Sequence, residues 1–311
     1  MGALLDVILP VFMVMGAGYL ARWRNLFSDT FADGLMVFAQ RFAIPAMLFL
    51  AMSELNLAQG FDPGLLASFY IGVAAAFMLG AIGARLIFGR TPEDSVSIGF
   101  ASFFSNSVLL GLAIMQRAYG PGALAPNYAL IAIHAPLLYV VGIIAMETVK
   151  SRGAGVSPRI LLDVTKSIMT NGIVIGIGLG IVANLTGFRT PETVDAALQM
   201  LARAALPAAL FGLGAVLYRY RPEGDIRVIM MVGFISLIVH PAVTWVLATQ
   251  VFDLTVGQLR TAIVTAAMAP GVNAYLFANM YGAAPRIAAS SVLICTALSL
   301  VTAWAWLSIL P

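Results

Sequence analysis

The feature that most restricts this chain is a series of long apolar runs that carry almost no charge. Ten occur, near residues 3–21, 31–53, 63–88, 95–117, 126–149, 165–187, 192–217, 226–250, 258–281 and 286–308. Each approaches the roughly 20 mostly apolar residues that a helix needs to cross a hydrocarbon core. Only 10% of the 311 residues are charged, against about 25% in water-soluble domains, so the chain is built for a bilayer. Barrel strands alternate over about 10 residues, whereas these runs are apolar on every face. Helices remain, because backbone groups in lipid must be bonded internally. The expected fold class is an all-α membrane protein with ten transmembrane helices.

No Lys or Arg precedes the first run and no small-residue cleavage site closes it, so it reads as a span and not as a removed signal. Cys295 is the single cysteine, which excludes an intramolecular disulfide and leaves it without metal-ligand company. The sequence pI of 9.2 does not call for nucleic acid, because topology accounts for the basic residues. Twelve of the seventeen Lys and Arg residues fall in the loops after spans 1, 3, 5, 7 and 9, and three (Arg117, Arg189 and Arg260) fall on the opposite side. Basic residues favour the cytoplasmic side. Both termini are therefore expected on the non-cytoplasmic side. Two arginines remain, Arg41 and Arg203, each inside a span.

These two expose a repeat. Arg41 opens RFAIPAMLF and Arg203 opens RAALPAALF, with six identities in nine positions at an offset of 162. The same offset aligns AYG at 118–120 with MYG at 280–282, each closing a span. The expected organisation is a first five-helix repeat over 1–149, a linker over 150–164 and a second repeat over 165–311. Five is odd, so the halves insert upside down relative to each other. Such inverted repeats typify secondary transporters, whose substrate lies at mid-membrane beside broken helices. Pro270-Gly271 in the middle of span 9 is the strongest helix-breaking pair in any span, since proline removes a hydrogen bond and glycine frees the backbone. Asn273 follows as a candidate cap. The partner span 4 carries Ser105, Asn106, Ser107 and Gly111 near its centre. Such polar groups serve either helix–helix hydrogen bonds or a substrate.

The strings ASFFSNSVLLGLAI in span 4, IPAMLF in span 2 and AAMAPGVNAYLFANMYG in span 9 resemble the auxin efflux carrier family in its compact bacterial form, over essentially the whole chain. The resemblance implies a 5+5 inverted repeat. Spans 1, 2, 6 and 7 would form a scaffold, and spans 3–5 and 8–10 a moving transport domain. Spans 4 and 9 would be broken and cross at the substrate. Plant members export auxin, a carboxylate, and form homodimers; bacterial relatives are linked to malonate and similar organic anions. Asn106 would lie at the crossover and Pro270 at the break of span 9. One departure is Ala113, where the family usually has proline, so a milder break in span 4, or one held by Gly111 and Asn106 alone, is expected.

The implied function is secondary transport of a small organic anion in a bacterial cytoplasmic membrane by a homodimer, with Ser105, Asn106, Ser107, Gly111, Pro270, Gly271 and Asn273 at the substrate. A channel-like or uniport facilitator and a proton-coupled carrier of another small molecule stay open. Arg41 and Arg203 are expected to be buried. They would either attract the anion or pair with its carboxylate, or else snorkel to an interface or bond carbonyls freed by Pro45 and Pro207. His134 in span 5 is a candidate for proton coupling or a packing residue. His240 precedes Pro241 in span 8. No carboxylate occupies mid-span, which disfavours sodium coupling. Asp29, Asp33, Asp163, Asp225 and Asp253 read as caps or loop residues. No H-E-x-x-H, G-x-S-x-G or phosphate-cradling glycine loop is present, so no catalytic residues, metal or cofactor are expected.

Overall fold

The computed structural model describes residues 2–151, 162, 165–166 and 169–311. Arg152, Arg159, Asp163 and most of the expected linker over 150–164 lie outside the described residues. Among those described, regular structure is helical apart from one isolated bridge. In chain order the helices are α1 (Gly2–Trp23), α2 (Asp29–Glu54), α3 (Pro63–Leu86), α4 (Pro92–Phe103), α5 (Leu112–Tyr119), α6 (Ala125–Lys150), α7 (Gly172–Thr186), α8 (Glu192–Leu217), α9 (Ile226–Gln250), α10 (Val256–Ala266), α11 (Val272–Tyr281) and α12 (Pro285–Ile309). A π-helical turn, Ser107–Gly111, leads into α5. Seven helices are long and apolar enough to cross a membrane: α1, α2, α3, α6 with its short lead-in, α8, α9 and α12. Helix α7 is apolar but shorter.

Local chemistry explains where the helices begin. The Asp62 carboxylate accepts from the Leu65 N–H at 2.9 Å, the Asn171 amide oxygen from the Ile173 N–H at 2.9 Å, and the Asp225 carboxylate from the Arg227 N–H at 3.0 Å. Thr255 and Gln258 form a reciprocal capping box at the start of α10. Each satisfies an amide that the helix cannot. Asp225 also accepts from Arg90 at 2.7 Å. Asp29 opens α2 and pairs with Arg22, whereas Asp33 lies inside α2, where Ser28 already supplies the cap, and reaches Arg219 at 2.6 Å.

Small residues set the helix packing. Helix α7 lies against α2 so closely that a Cβ on Gly176 would come within 2.5 Å of the Pro45 carbonyl oxygen, and one on Gly180 within 2.7 Å of that of Phe49. Gly18 of α1 and Gly214 of α8 meet the facing backbone in the same way. In lipid, where apolar side chains gain little from meeting one another, such close backbone approach is what holds helices together. The main contacts fall into two sets. Helices α1, α2, α7 and α8 pack together, and α3 packs with α4 and α9, with α10–α12 and α6 alongside.

Gly176→Ala should therefore lower the thermal stability of the purified protein, by about 1–3 kcal/mol for an overpacked contact. Gly178→Ala, on the same helix with open space around it, should be neutral or slightly stabilising. Equal melting temperatures for the two variants would refute this account of the α2–α7 contact.

Candidate functional site

Two interruptions meet at the centre of the helical body. Residues Phe104–Asn106 separate α4 from the following π-turn, and residues 267–271 separate α10 from α11. Ser105 and Pro270 face each other as an antiparallel bridge. The Asn106 N–H donates to the Ala269 carbonyl and the Gly271 N–H donates to the Phe104 carbonyl, both at 2.8 Å. These bonds flank the bridged pair, so Pro270 occupies the one position whose missing N–H costs nothing. Span 4 is fully interrupted, so of the two expectations the milder break fails, and the break is held by residues 269–271 of the other span and not by Gly111 and Asn106 alone. The other break supplies hydrogen bonds in place of those lost, so none of the constraint has to come from Ala113.

A cavity of about 400 Å³ lies against this crossing. Ser105, Asn106, Ser107, Gly271 and Asn273 line it, together with His134 and Tyr139 of α6, Gln40 of α2 and Asn171 before α7. Gly111 and Pro270 are not among the lining residues: both are buried, Gly111 in the π-turn and Pro270 in the bridge. Asn273 does not cap α11. Gly271 holds the cap position without a side-chain bond, and the Asn273 oxygen accepts from the Tyr139 hydroxyl at 3.3 Å.

The cavity wall holds unspent hydrogen-bonding capacity. Ser105, Asn106 and His134 are only 4%, 6% and 2% exposed. Yet Ser105 Oγ, Asn106 Nδ2 and both ring nitrogens of His134 have no hydrogen-bond partner. The backbone of Ser105 lies beside the imidazole without completing a bond. An orphaned buried polar group costs about 1–3 kcal/mol, and native proteins leave few. Unpaired buried groups occur elsewhere too, at Ser97, Thr244, Ser291 and Thr296 among others, but here three residues that carry them line one cavity. The first turn after the Asn106 break and the first turn of α11 also line the cavity, and helix N-termini carry partial positive charge. Among the described residues no Lys, Arg, Asp or Glu lines it.

The two arginines are not where the sequence suggested. Both are exposed, not buried, and neither guanidinium bonds another described residue. Burying either would need a partner that the apolar core lacks, so each projects outward from its helix. Arg41 lies outside the crossing cavity, although its α-carbon abuts Gly172. Arg203 lines a second cavity of about 690 Å³ between α1, α5, α6 and α8, with Gln116, Arg117, Gln199 and Tyr128.

One buried network escaped the sequence reading. Asn127 of α6 donates to Thr265 Oγ1 at 2.9 Å and accepts from Thr261 at 3.1 Å, all three fully buried. An amide inside span 5 was the available signal. Gln40, Tyr139 and Asn171 also line the cavity without having been singled out, because nothing in the sequence placed their helices beside spans 4 and 9.

A family model described as membrane transport protein matches residues 3–307. The chain belongs to this family. It is the auxin efflux carrier family that the span 4 and span 9 motifs resemble. Among relatives, the chain is 24% identical to a candidate malonate transporter of Rhizobium meliloti, over 97% of this chain and 94% of that protein. It is 22% identical to the uncharacterized transporter YfdV of Escherichia coli, over 96% and 95% of the two chains. It is 23% identical to auxin efflux carrier component 8 of Arabidopsis thaliana, over 96% and 94%. Family membership makes the chain a multi-pass membrane protein with a transported substrate, and the names of these relatives are those of transporters, not enzymes.

Asn127→Leu should destabilise the purified protein by about 1–3 kcal/mol per hydroxyl left unpaired. Adding Thr261→Val and Thr265→Val should recover much of that loss. No recovery in the triple variant would mean that the network does not carry the effect.

Proposed function

We propose that this protein is a secondary transporter that carries a small organic anion, a mono- or dicarboxylate, across a bacterial cytoplasmic membrane by alternating access. The observation that carries the reading is the pair of unpaired buried donors, Ser105 Oγ and Asn106 Nδ2, on residues that line a cavity where two half-helices begin. Neutral donors and helix N-termini suit a carboxylate that must be held and then released. The name of the Rhizobium relative points to the same class of substrate. Gly271 and Asn273 extend the binding surface, and Gly111 and Pro270 support it from behind.

In this reading the chain makes ten crossings in two inverted halves, 1–149 and 165–311, joined by the linker at 150–164. The register of the two cavities supports it. Gln40, Ile44 and Ile173 line the cavity at the crossing. Shifted by the repeat offset of 162, they correspond to Ala202, Leu206 and Val11, which line the second cavity. The two cavities are then inner and outer versions of one passage. The crossing cavity reaches Ile143 and Met280, on segments that lead to the basic loops, so this conformation opens to the cytoplasm and both termini lie outside. Helices α1, α2, α7 and α8 form the scaffold, and the remaining helices the moving domain. Arg203 in the outer cavity draws the anion in, whereas Arg41 stands outside the inner one. The protein pairs as a homodimer, as the family resemblance implies.

Liposomes that hold the purified protein and unlabelled malonate should take up labelled malonate by saturable exchange, with the same rate when choline replaces sodium. A hydrogen bond to a charged group is worth about 1.5–3 kcal/mol, so Asn106→Ala should slow exchange by about 10- to 100-fold while the protein still inserts. Wild-type exchange by Asn106→Ala would remove the site. Failure of every small carboxylate to exchange would remove the substrate class.

A further inference from the structure

The cavity at the crossing presents an imbalance. An anion that enters it meets no lysine or arginine among the described residues of its wall. The partial positive charges at the starts of the two half-helices are offset by the ends of α4 and α10, which finish at the same crossing and carry partial negative charge. These dipoles orient a carboxylate but do not neutralise it. A charge moved out of water without a counter-charge is strongly disfavoured. Among the lining residues only His134 and Tyr139 can change protonation state, and of these only histidine becomes a cation.

The geometry around His134 fits that task. It stands in the middle of α6, 2% exposed, with both ring nitrogens unpaired. Phe104 of the broken span packs edge-on to it with centroids 5.2 Å apart, and Phe69 of α3 lies at 5.7 Å. Aromatic contacts hold the ring, and neither nitrogen has a completed hydrogen bond, on a residue that lines the cavity. The titratable groups around it are few. Tyr70 of α3 lies at 6.4 Å and is engaged with the Leu130 carbonyl. His240 of α9 stands on the other face of Phe69, at 5.4 Å from that ring. Tyr139, one helical turn along α6, is committed to Asn273. No carboxylate is among these neighbours.

We infer that His134 supplies the positive charge that meets the substrate, so that each carboxylate is bound together with one proton. This rests on the organic-anion reading of the same site. The proton comes from water reached through the open cavity and adds to the free nitrogen of the neutral imidazole. The imidazolium N–H then donates to the carboxylate oxygen beside Asn106 Nδ2 and Ser105 Oγ. On release at the other side the proton leaves the ring with the anion, and histidine returns neutral. No bond other than N–H forms or breaks, and the transported unit carries one negative charge fewer than the anion alone.

Binding of malonate to the purified protein decides the matter. Titration calorimetry would run between about pH 7 and 8.5, above the range in which carboxylates titrate, in buffers of different ionisation enthalpy. Wild type should take up close to one proton per malonate, and its affinity should fall about tenfold per pH unit. His134→Gln, or His134→Asn if the first variant does not fold, should bind more weakly with no proton uptake and a flat pH profile. His240→Gln should keep the linkage. PH-independent binding by wild type would overturn the inference and leave the anion site standing. Linkage that survives in the His134 variants would also overturn it. Absence of carboxylate binding by wild type at every pH would overturn the substrate reading and this inference with it.

Discussion

Two backbone hydrogen bonds hold the centre of this molecule. A helix broken inside a bilayer exposes amides and carbonyls to a medium that cannot bond them. Here each break repairs the other: Asn106 N–H pairs with the Ala269 carbonyl and Gly271 N–H with that of Phe104. With the backbone settled in this way, the side chains of Ser105 and Asn106 are not needed as caps, and indeed Asn106 makes no capping bond. They are left free on the wall of a cavity. Architecture and site therefore have one origin. The crossing satisfies the main chain, and it is for that reason that the side chains remain unsatisfied.

Much of this was legible in the sequence because membrane spans and helix breakers act locally. The apolar runs located the helices, and Pro270-Gly271 located one break to the residue. The partner break was found only through the Arg41 and Arg203 repeat, since Ser105 and Asn106 alone do not distinguish a break from a polar helix contact. The burial of the arginines was misjudged. Position within a span says how deep a residue lies but not which way its helix is turned, and both arginines are exposed, Arg203 on the lining of the second cavity. Asn273 was misassigned for a related reason. Its partner, Tyr139, lies 134 residues away, and no local rule could bring the two together.

The distribution of polar groups is uneven in an informative way. Ion pairs such as Arg22–Asp29, Arg90–Asp225 and Arg219–Asp33 sit near helix ends, where water weakens them to about 0–1 kcal/mol. The interior instead uses neutral groups. Asn127 with Thr261 and Thr265 is fully bonded and fixes α6 against α10. The side chains of Ser105, Asn106 and His134 hold unpaired polar atoms, and all three residues line the crossing cavity. One set is complete and the other is incomplete, although His134 stands on the same helix as Asn127.

The reciprocal bonding at the crossing also bears on how the molecule is made. The acceptors and donors that complete the first break belong to residues 269–271, far later in the chain than Phe104–Asn106. When the first half enters the membrane from the ribosome, its Phe104 carbonyl and Asn106 amide have no permanent partner. They must keep water, or a provisional partner, beside them until α10 and α11 are synthesised. Neither break is complete on its own, so the moment at which residues 269–271 meet Phe104–Asn106 settles both in a single step.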